Sequence, residues 1–181
     1  SDQFVNLAFG DYVPVDSKAS DKKYTELEDP EVALTFIHQA LEEHNSEGSN
    51  GQPMHLVFFD DARNHFNRTL RVIRQPRGNM LSVGVSGVGR KSMTRMASFM
   101  LEYKCCQIEI TRGYGAESFK EDLRGMMKDV ANAQKDGGKG ITFLFGDTQI
   151  VQESFLEDVN NVLNTGEVPN LFPPDEVEQI I

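Results

Sequence analysis

An apolar run that ends at a glycine-rich loop constrains the fold of this chain most strongly. The run covers residues 80–83, and the loop after it contains three glycines, Gly84, Gly87 and Gly89. A basic, helix-forming segment begins at Arg90. This order of strand, glycine loop and helix is typical of a phosphate-binding loop, because glycines let successive amides point inward and a helix N-terminus attracts anions. The segment therefore predicts a phosphate site.

The loop departs from the pattern G-x-x-x-x-G-K-S/T at its last two positions. Arg90 stands at the lysine position, Lys91 stands where a hydroxyl normally binds Mg²⁺, and Ser92 comes one residue late. Arginine contacts phosphate through a planar fork, which does not replace a compact ammonium group. We expect the phosphates to contact Gly84, Ser86, Gly87, Val88, Gly89, Arg90, Lys91 and Ser92. The alternative is a glycine-rich turn that only joins a strand to a helix.

A phosphate-binding loop also needs an acid at the end of another buried strand, which holds Mg²⁺ through water. Asp147 follows the apolar run at residues 141–145 and stands where that acid is expected. We expect Asp147 and Ser92 to serve a bound Mg²⁺. Thr148 stands where ring-forming ATPases carry the water-activating glutamate, and a hydroxyl has no useful basicity at pH 7. The sequence thus predicts that the site binds a nucleotide, hydrolyses it slowly or not at all, and contains no catalytic residue. The alternative for Asp147 is a turn residue at the end of a strand.

Composition excludes several classes of function. The net charge of −10 and the pI of about 4.8 argue against nucleic-acid and anionic-membrane surfaces. No apolar run approaches the ~20 residues that span a bilayer, and no signal-peptide pattern is visible, so we expect an intracellular chain. The adjacent Cys105 and Cys106 are expected to be reduced thiols. The four histidines show no metal-ligand spacing with them.

Helical and strand patterns alternate along the chain. Asp29 predicts the cap of a helix that runs to about His44, and Asp60 that of a helix ending before Pro76. Further helices are predicted around residues 93–101, 119–130 and 155–163. The second has a capping box at Ser118 and Glu121, the third ends at Thr165 and Gly166, and Asp175 is expected to cap a last helical turn or two. Strands are predicted at residues 80–83, 106–110 and 141–145. This alternation indicates an α/β fold with a parallel sheet.

With both motifs placed, the chain resembles the fourth AAA+ module of a dynein heavy chain, and the axonemal branch more than the cytoplasmic one. The segments that carry this resemblance are residues 56–62, 76–81, 84–95, 107–110, 143–150, 153–158, 160–161 and 166–172. Together they cover most of residues 54–181, whereas residues 1–53 match less distinctively.

The resemblance implies the large subdomain of an AAA+ P-loop NTPase, three-layered with a parallel sheet, in a chain that stops before the later strands and the helical lid. It implies a connecting segment with one helix at residues 1–53 and a partial nucleotide-binding domain at residues 54–181. In this family a later strand separates the phosphate-loop strand from the acid-bearing strand, so residues 80–83 and 141–145 are not expected to pair. Leu56 and Val57 would lie near the adenine.

The function implied by the resemblance is a regulatory site for ATP or ADP, with Mg²⁺, in a microtubule motor. Because Arg90 stands at the lysine position, bound ADP and an empty site are both alternatives to bound ATP. The implied partners are neighbouring AAA+ modules of the same heavy chain and, through the whole motor, microtubules. The implied location is the cytoplasm and cytoskeleton, in the axoneme of a cilium or flagellum. The alternatives are a small nucleotide or phosphate kinase, which would need a normal lysine and hydroxyl pair, and a structural spacer that binds nothing.

Overall fold

The internal contacts of the chain divide it into two units, Ser1–Leu101 and Glu102–Ile181. The computed structural model describes residues 8–13, 24–46, 53–85, 87–135, 139–173 and 176. The first unit contains strands β1 (Phe9–Gly10) and β2 (Thr25–Glu26) and helices α1 (Pro30–Ser46), α2 (Asp60–Arg74) and α3 (Arg90–Met100). The second contains strands β3 (Lys104–Cys106) and β4 (Ile141–Phe143), helices α4 (Ala116–Lys135) and α5 (Ser154–Thr165), and a short 3-10 helix at Asp147–Gln149.

Three amphipathic helices form the core of the first unit. Helix α1 begins as predicted, because Asp29 Oδ1 accepts hydrogen bonds from the amides of Glu31 at 2.9 Å and Val32 at 3.4 Å. It continues two residues beyond His44, and Asn45 in its last turn bonds both main-chain groups of Met54. The buried side chains of this core are Ile37, Leu41, Met54, Phe58, Phe66, Leu70, Met96 and Ala97. Strands β1 and β2 pair antiparallel.

Two predicted caps are wrong, the first by one residue and the second by three. Helix α2 begins at Asp60 itself, after Phe59, and Asp60 pairs with Arg63 at 3.2 Å instead of capping the helix. An acid in the first turn still interacts favourably with the helix dipole. Helix α4 begins at Ala116, so Ser118 lies inside its first turn and Glu121 forms an ion pair with Arg124.

The second unit is built on a small parallel sheet, which confirms the predicted α/β class. Strand β3 pairs with β4 in the register Lys104–Ile141, Cys105–Thr142 and Cys106–Phe143. Helices α4 and α5 pack on a core of Ile108, Phe119, Leu123, Phe155, Val168 and Leu171. The chain leaves α5 through Gly166, whose φ of 79° confirms the predicted glycine stop.

The predicted strands are shorter than expected or missing. Of residues 106–110 only Cys106 lies in a strand, because the carbonyl of Ile108 accepts a hydrogen bond from the Gln149 side chain instead of a neighbouring strand. Residues 80–83 belong to no ladder in the described part of the chain, and Leu81 and Val83 are 89% and 82% exposed. A strand requires a hydrogen-bonded neighbouring strand, and no strand in the described part of the chain pairs with this segment.

No helix within the described ranges is long and apolar enough to cross a membrane. The cap predicted at Asp175 lies outside the described residues. Cys105 and Cys106, both among the described residues, form no disulfide.

Candidate nucleotide-binding loop

Two glycines with left-handed backbone shape the loop before α3. Gly87 has a φ of +86° and Gly89 a φ of +77°. A side chain on Gly87 would meet no heavy atom within 4 Å, and one on Gly89 would lie 3.5 Å from Leu56 Cδ2. Glycine is therefore favoured here by backbone conformation, which costs other residues roughly 1–2 kcal/mol, rather than by lack of space. Ser86, predicted to contact phosphate, lies outside the described residues.

The N-terminus of α3 opens directly out of this loop. Gly89 precedes its first residue, supplies no side-chain cap, and accepts the first helical hydrogen bond from Met93 at 2.8 Å. The amides at the start of a helix have no partner within the helix, and the helix dipole makes this end positive. The first turn contains no acid, and it begins with Arg90 and Lys91. This end of α3 therefore has the electrostatic character of an anion site.

Arg90 does not point away from the loop. Its Nη1 donates to the carbonyl of Ser82 and its Nη2 to the carbonyl of Val85, each at 3.3 Å. Lys91 is exposed and Ser92 is half-buried in the first turn of α3, and Val88 is 48% exposed. The structure thus brings together the loop glycines and Arg90, and it shows Arg90 bound to the main chain of the loop.

The two residues predicted near the adenine lie in the extended segment before α2. Leu56 is half-buried, packs against the core of the first unit, and is the side chain nearest to Gly89. Val57 is 80% exposed. Leu56 is therefore a neighbour of the loop, and the adenine-side role of both residues stays a prediction.

Asp147 lies in the second unit, four residues after the carboxyl end of β4. Its exposed carboxylate accepts a hydrogen bond from the amide of Thr148 at 3.0 Å. Carboxylate and hydroxyl oxygens suit Mg²⁺, so the chemistry of Asp147 and Ser92 fits that ion. Within the described ranges no group of three or more His, Cys, Asp or Glu side chains could hold a metal. The role of each of these two residues toward Mg²⁺ stays a prediction.

Sequence reasoning missed Gln149, which holds the turn that carries Asp147. Its Oε1 accepts from the amide of Gly146 at 2.7 Å, its Nε2 donates to the carbonyl of Ile108, and it is 4% exposed. The bond from the Gly146 amide to Gln149 is one half of a capping box, but glycine has no side chain for the other half, so the sequence signature of that motif is absent.

Comparison with known proteins gives a consistent family. The model of the P-loop containing dynein motor region D4 matches residues 54–181. The chain is 46% identical to dynein axonemal heavy chain 6 of Homo sapiens over 97% of its length, and 44% identical to dynein axonemal heavy chain 2 of the same species over 95%. It is 46% identical over 87% of its length to the dynein-1-beta heavy chain of the flagellar inner arm I1 complex from Chlamydomonas reinhardtii. The chain spans 3–4% of the length of these relatives. Because the family model matches most of the chain, the chain belongs to the family of the P-loop containing dynein motor region D4.

Proposed function

We propose that this chain forms a degenerate nucleotide site, that of the fourth AAA+ module in an axonemal dynein heavy chain. It binds ATP or ADP and hydrolyses ATP poorly, and it regulates the motor rather than driving it. The observation that carries this proposal is the pair of left-handed glycines, Gly87 and Gly89, before the N-terminus of α3. The first turn of that helix contains no acidic residue. That arrangement presents main-chain N–H groups and a positive helix end to an anion.

Each residue of the proposed nucleotide site has its own role. The amides from Gly87 to Ser92 hold the phosphates, and Leu56 and Val57 lie beside the adenine. Ser92 would offer a hydroxyl oxygen to Mg²⁺, an ion that neutralises phosphate charge, and Asp147 is the carboxylate that the sequence pattern assigns to the same ion. Thr148 follows Asp147 and cannot take a proton from an attacking water at pH 7. Binding without efficient hydrolysis is the consequence.

The wider role follows from the relatives. Their names place them in axonemes and, for the Chlamydomonas protein, in a flagellar inner arm. We propose that this chain is likewise part of a motor in a cilium or flagellum, where it contacts neighbouring AAA+ modules and acts on microtubules through the whole motor. The net charge of −10 supports a partner set without nucleic acid or anionic membrane.

A structural spacer is the second candidate, and one observation favours it. The guanidinium of Arg90 satisfies two loop carbonyls, which gives the loop internal support without a ligand. The two candidate functions predict different results: a nucleotide protects the loop from hydrogen exchange if the chain forms a nucleotide site, and it does not if the chain is a spacer.

The test is hydrogen exchange, read peptide by peptide in the complete heavy chain that carries this sequence, with increasing MgADP or MgATP. We expect saturable protection of residues 84–92. Gly87→Ala should weaken the affinity about 5- to 30-fold, because alanine pays roughly 1–2 kcal/mol in a left-handed conformation. Gly113→Ala is the matched control: Gly113 has a φ of +85° against +86° at Gly87, and a side chain at either site meets nothing within 4 Å. A loop without nucleotide-dependent protection would favour the spacer.

A further inference from the structure

The guanidinium of Arg90 lies across the beginning of its own loop. It bonds the carbonyls of Ser82 and Val85, which are three residues apart in the chain. A side chain on Gly84, between them, would lie 3.8 Å from Cδ and 3.9 Å from Nε of Arg90. The stem of Arg90 therefore passes over Gly84, and its charged end bonds the main chain on both sides of that glycine.

This contact set suits arginine. The guanidinium presents its N–H donors in a rigid plane, so two of them reach two separate carbonyls without further ordering of the side chain. The carbonyls it reaches are main-chain acceptors of an exposed segment that belongs to no strand ladder within the described ranges. In addition, Val88 Cγ2 would lie 3.5 Å from a side chain on Gly84, so the far limb of the loop is close to the same point.

We propose that Arg90 is an internal brace of the phosphate loop, which a polyphosphate must displace before it can use that side chain as a ligand. This inference rests on the proposed nucleotide site and adds a specificity-determining residue to it. The same cation serves two sets of acceptors, the carbonyls of Ser82 and Val85 or the oxygens of a nucleotide. Because the two sets compete, the brace keeps the nucleotide-free loop ordered and lowers its affinity for ADP.

The first measurement is made without nucleotide. In the complete heavy chain, Arg90→Met keeps an unbranched side chain and removes the donors, and protease cleavage within residues 82–89, read by mass spectrometry, should become about tenfold faster or more, since two hydrogen bonds that order this exposed segment are lost. Arg68→Met is the control: it removes the same group from an exposed position on α2 of the same unit. Hydrogen exchange of α1, which lies in the same unit, should stay at the wild-type rate in both variants, which verifies that the fold of this unit is intact. An unchanged rate at residues 82–89 in Arg90→Met would overturn the brace.

The second measurement tests the competition. Arg90→Lys gives up the two-carbonyl contact and keeps a cation for phosphate, so MgADP should protect residues 84–92 at a concentration about tenfold lower than in the wild type. An affinity equal to or weaker than that of the wild type would overturn the competition. The outcomes also separate the two proposals. A loop that loosens in Arg90→Met but is protected by no nucleotide in any variant supports the brace and refutes the nucleotide site. A wild-type loop that MgADP protects, with no loosening in Arg90→Met, refutes the brace alone.

Discussion

Replacing Phe119 by alanine removes the ring on which the second unit is centred. Phe119 lies on α4 and is fully buried. Its ring stacks on that of Phe155 on α5, with centroids 4.2 Å apart and planes 4° from parallel, and Phe145 lies beside it at 5.7 Å. No other described pair of aromatic rings in this chain is so close. The variant should therefore weaken the packing of α4 against α5.

The magnitude follows from what the ring contributes. A buried phenylalanine removes roughly 150–250 Å² from water, worth about 4–6 kcal/mol at 25 cal/mol per Å², and measured Phe→Ala costs are about 3–5 kcal/mol. Each 1.4 kcal/mol is a factor of ten, so 3–5 kcal/mol corresponds to an opening equilibrium raised about 100- to 4,000-fold.

Hydrogen exchange of α5 amides measures this opening directly, because exchange from a cooperatively opened unit reports its free energy. The control is Leu156→Ala, one residue from Phe155 on α5, at a side chain that is 45% exposed. It should raise the exchange rate less than tenfold. If Phe119→Ala accelerated α5 exchange no more than Leu156→Ala does, the stack would not be what joins these helices, and the reasoning would fail.

Three further predictions concern single side chains. Asp29→Ala removes two hydrogen bonds to first-turn amides of α1 and should destabilise that helix by about 1 kcal/mol, seen as faster exchange of α1; unaltered exchange would contradict the cap. Burial raises the pKa of Tyr12 to about 12 from 10.0, although its hydroxyl donates to Asn67. Because the neutral phenol is favoured in the folded state, this stabilisation is complete below about pH 10 and is lost as the pH rises toward 12. Tyr12→Phe should flatten that alkaline loss in urea titrations, and a slope equal to that of the wild type would refute the assignment. Gln149→Leu strands the buried carbonyl of Ile108 and a main-chain amide, which should cost about 1–3 kcal/mol in urea unfolding; a change within 0.5 kcal/mol, the range of ordinary surface substitutions, would show that water replaces the amide.

Local sequence patterns predicted the helices of this chain, two of the helix ends and the conformation of the loop glycines. The periodic apolar residues of α1, α2 and α4 predicted where these helices lie, because a helix repeats its faces every few residues. Asp29 and Gly166 marked the start of α1 and the end of α5 for equally local reasons, a side-chain cap and a left-handed residue. The loop glycines belong to the same class, since the requirement at Gly87 and Gly89 is one of backbone conformation.

The candidate site was only partly readable from the sequence. The loop, the helix N-terminus and the acid after β4 were visible as spacing. The partners of Arg90 were not, because a long side chain beside a glycine loop reaches either the main chain or a ligand, and spacing does not distinguish the two. Gln149 went unnoticed because its partner Ile108 lies 41 positions away in the chain.

The sequence by itself determined the order of helices and turns, the left-handed glycines before α3 and the family of the chain, because each of these depends on residues close together along the polypeptide. Only the tertiary structure decided which extended segments become strands. Residues 104–106 and 141–143 pair because each offers the other free main-chain groups, whereas the more apolar residues 80–83 remain outside any described ladder. A strand requires two segments that pair, and the sequence of one segment does not show whether its partner is present.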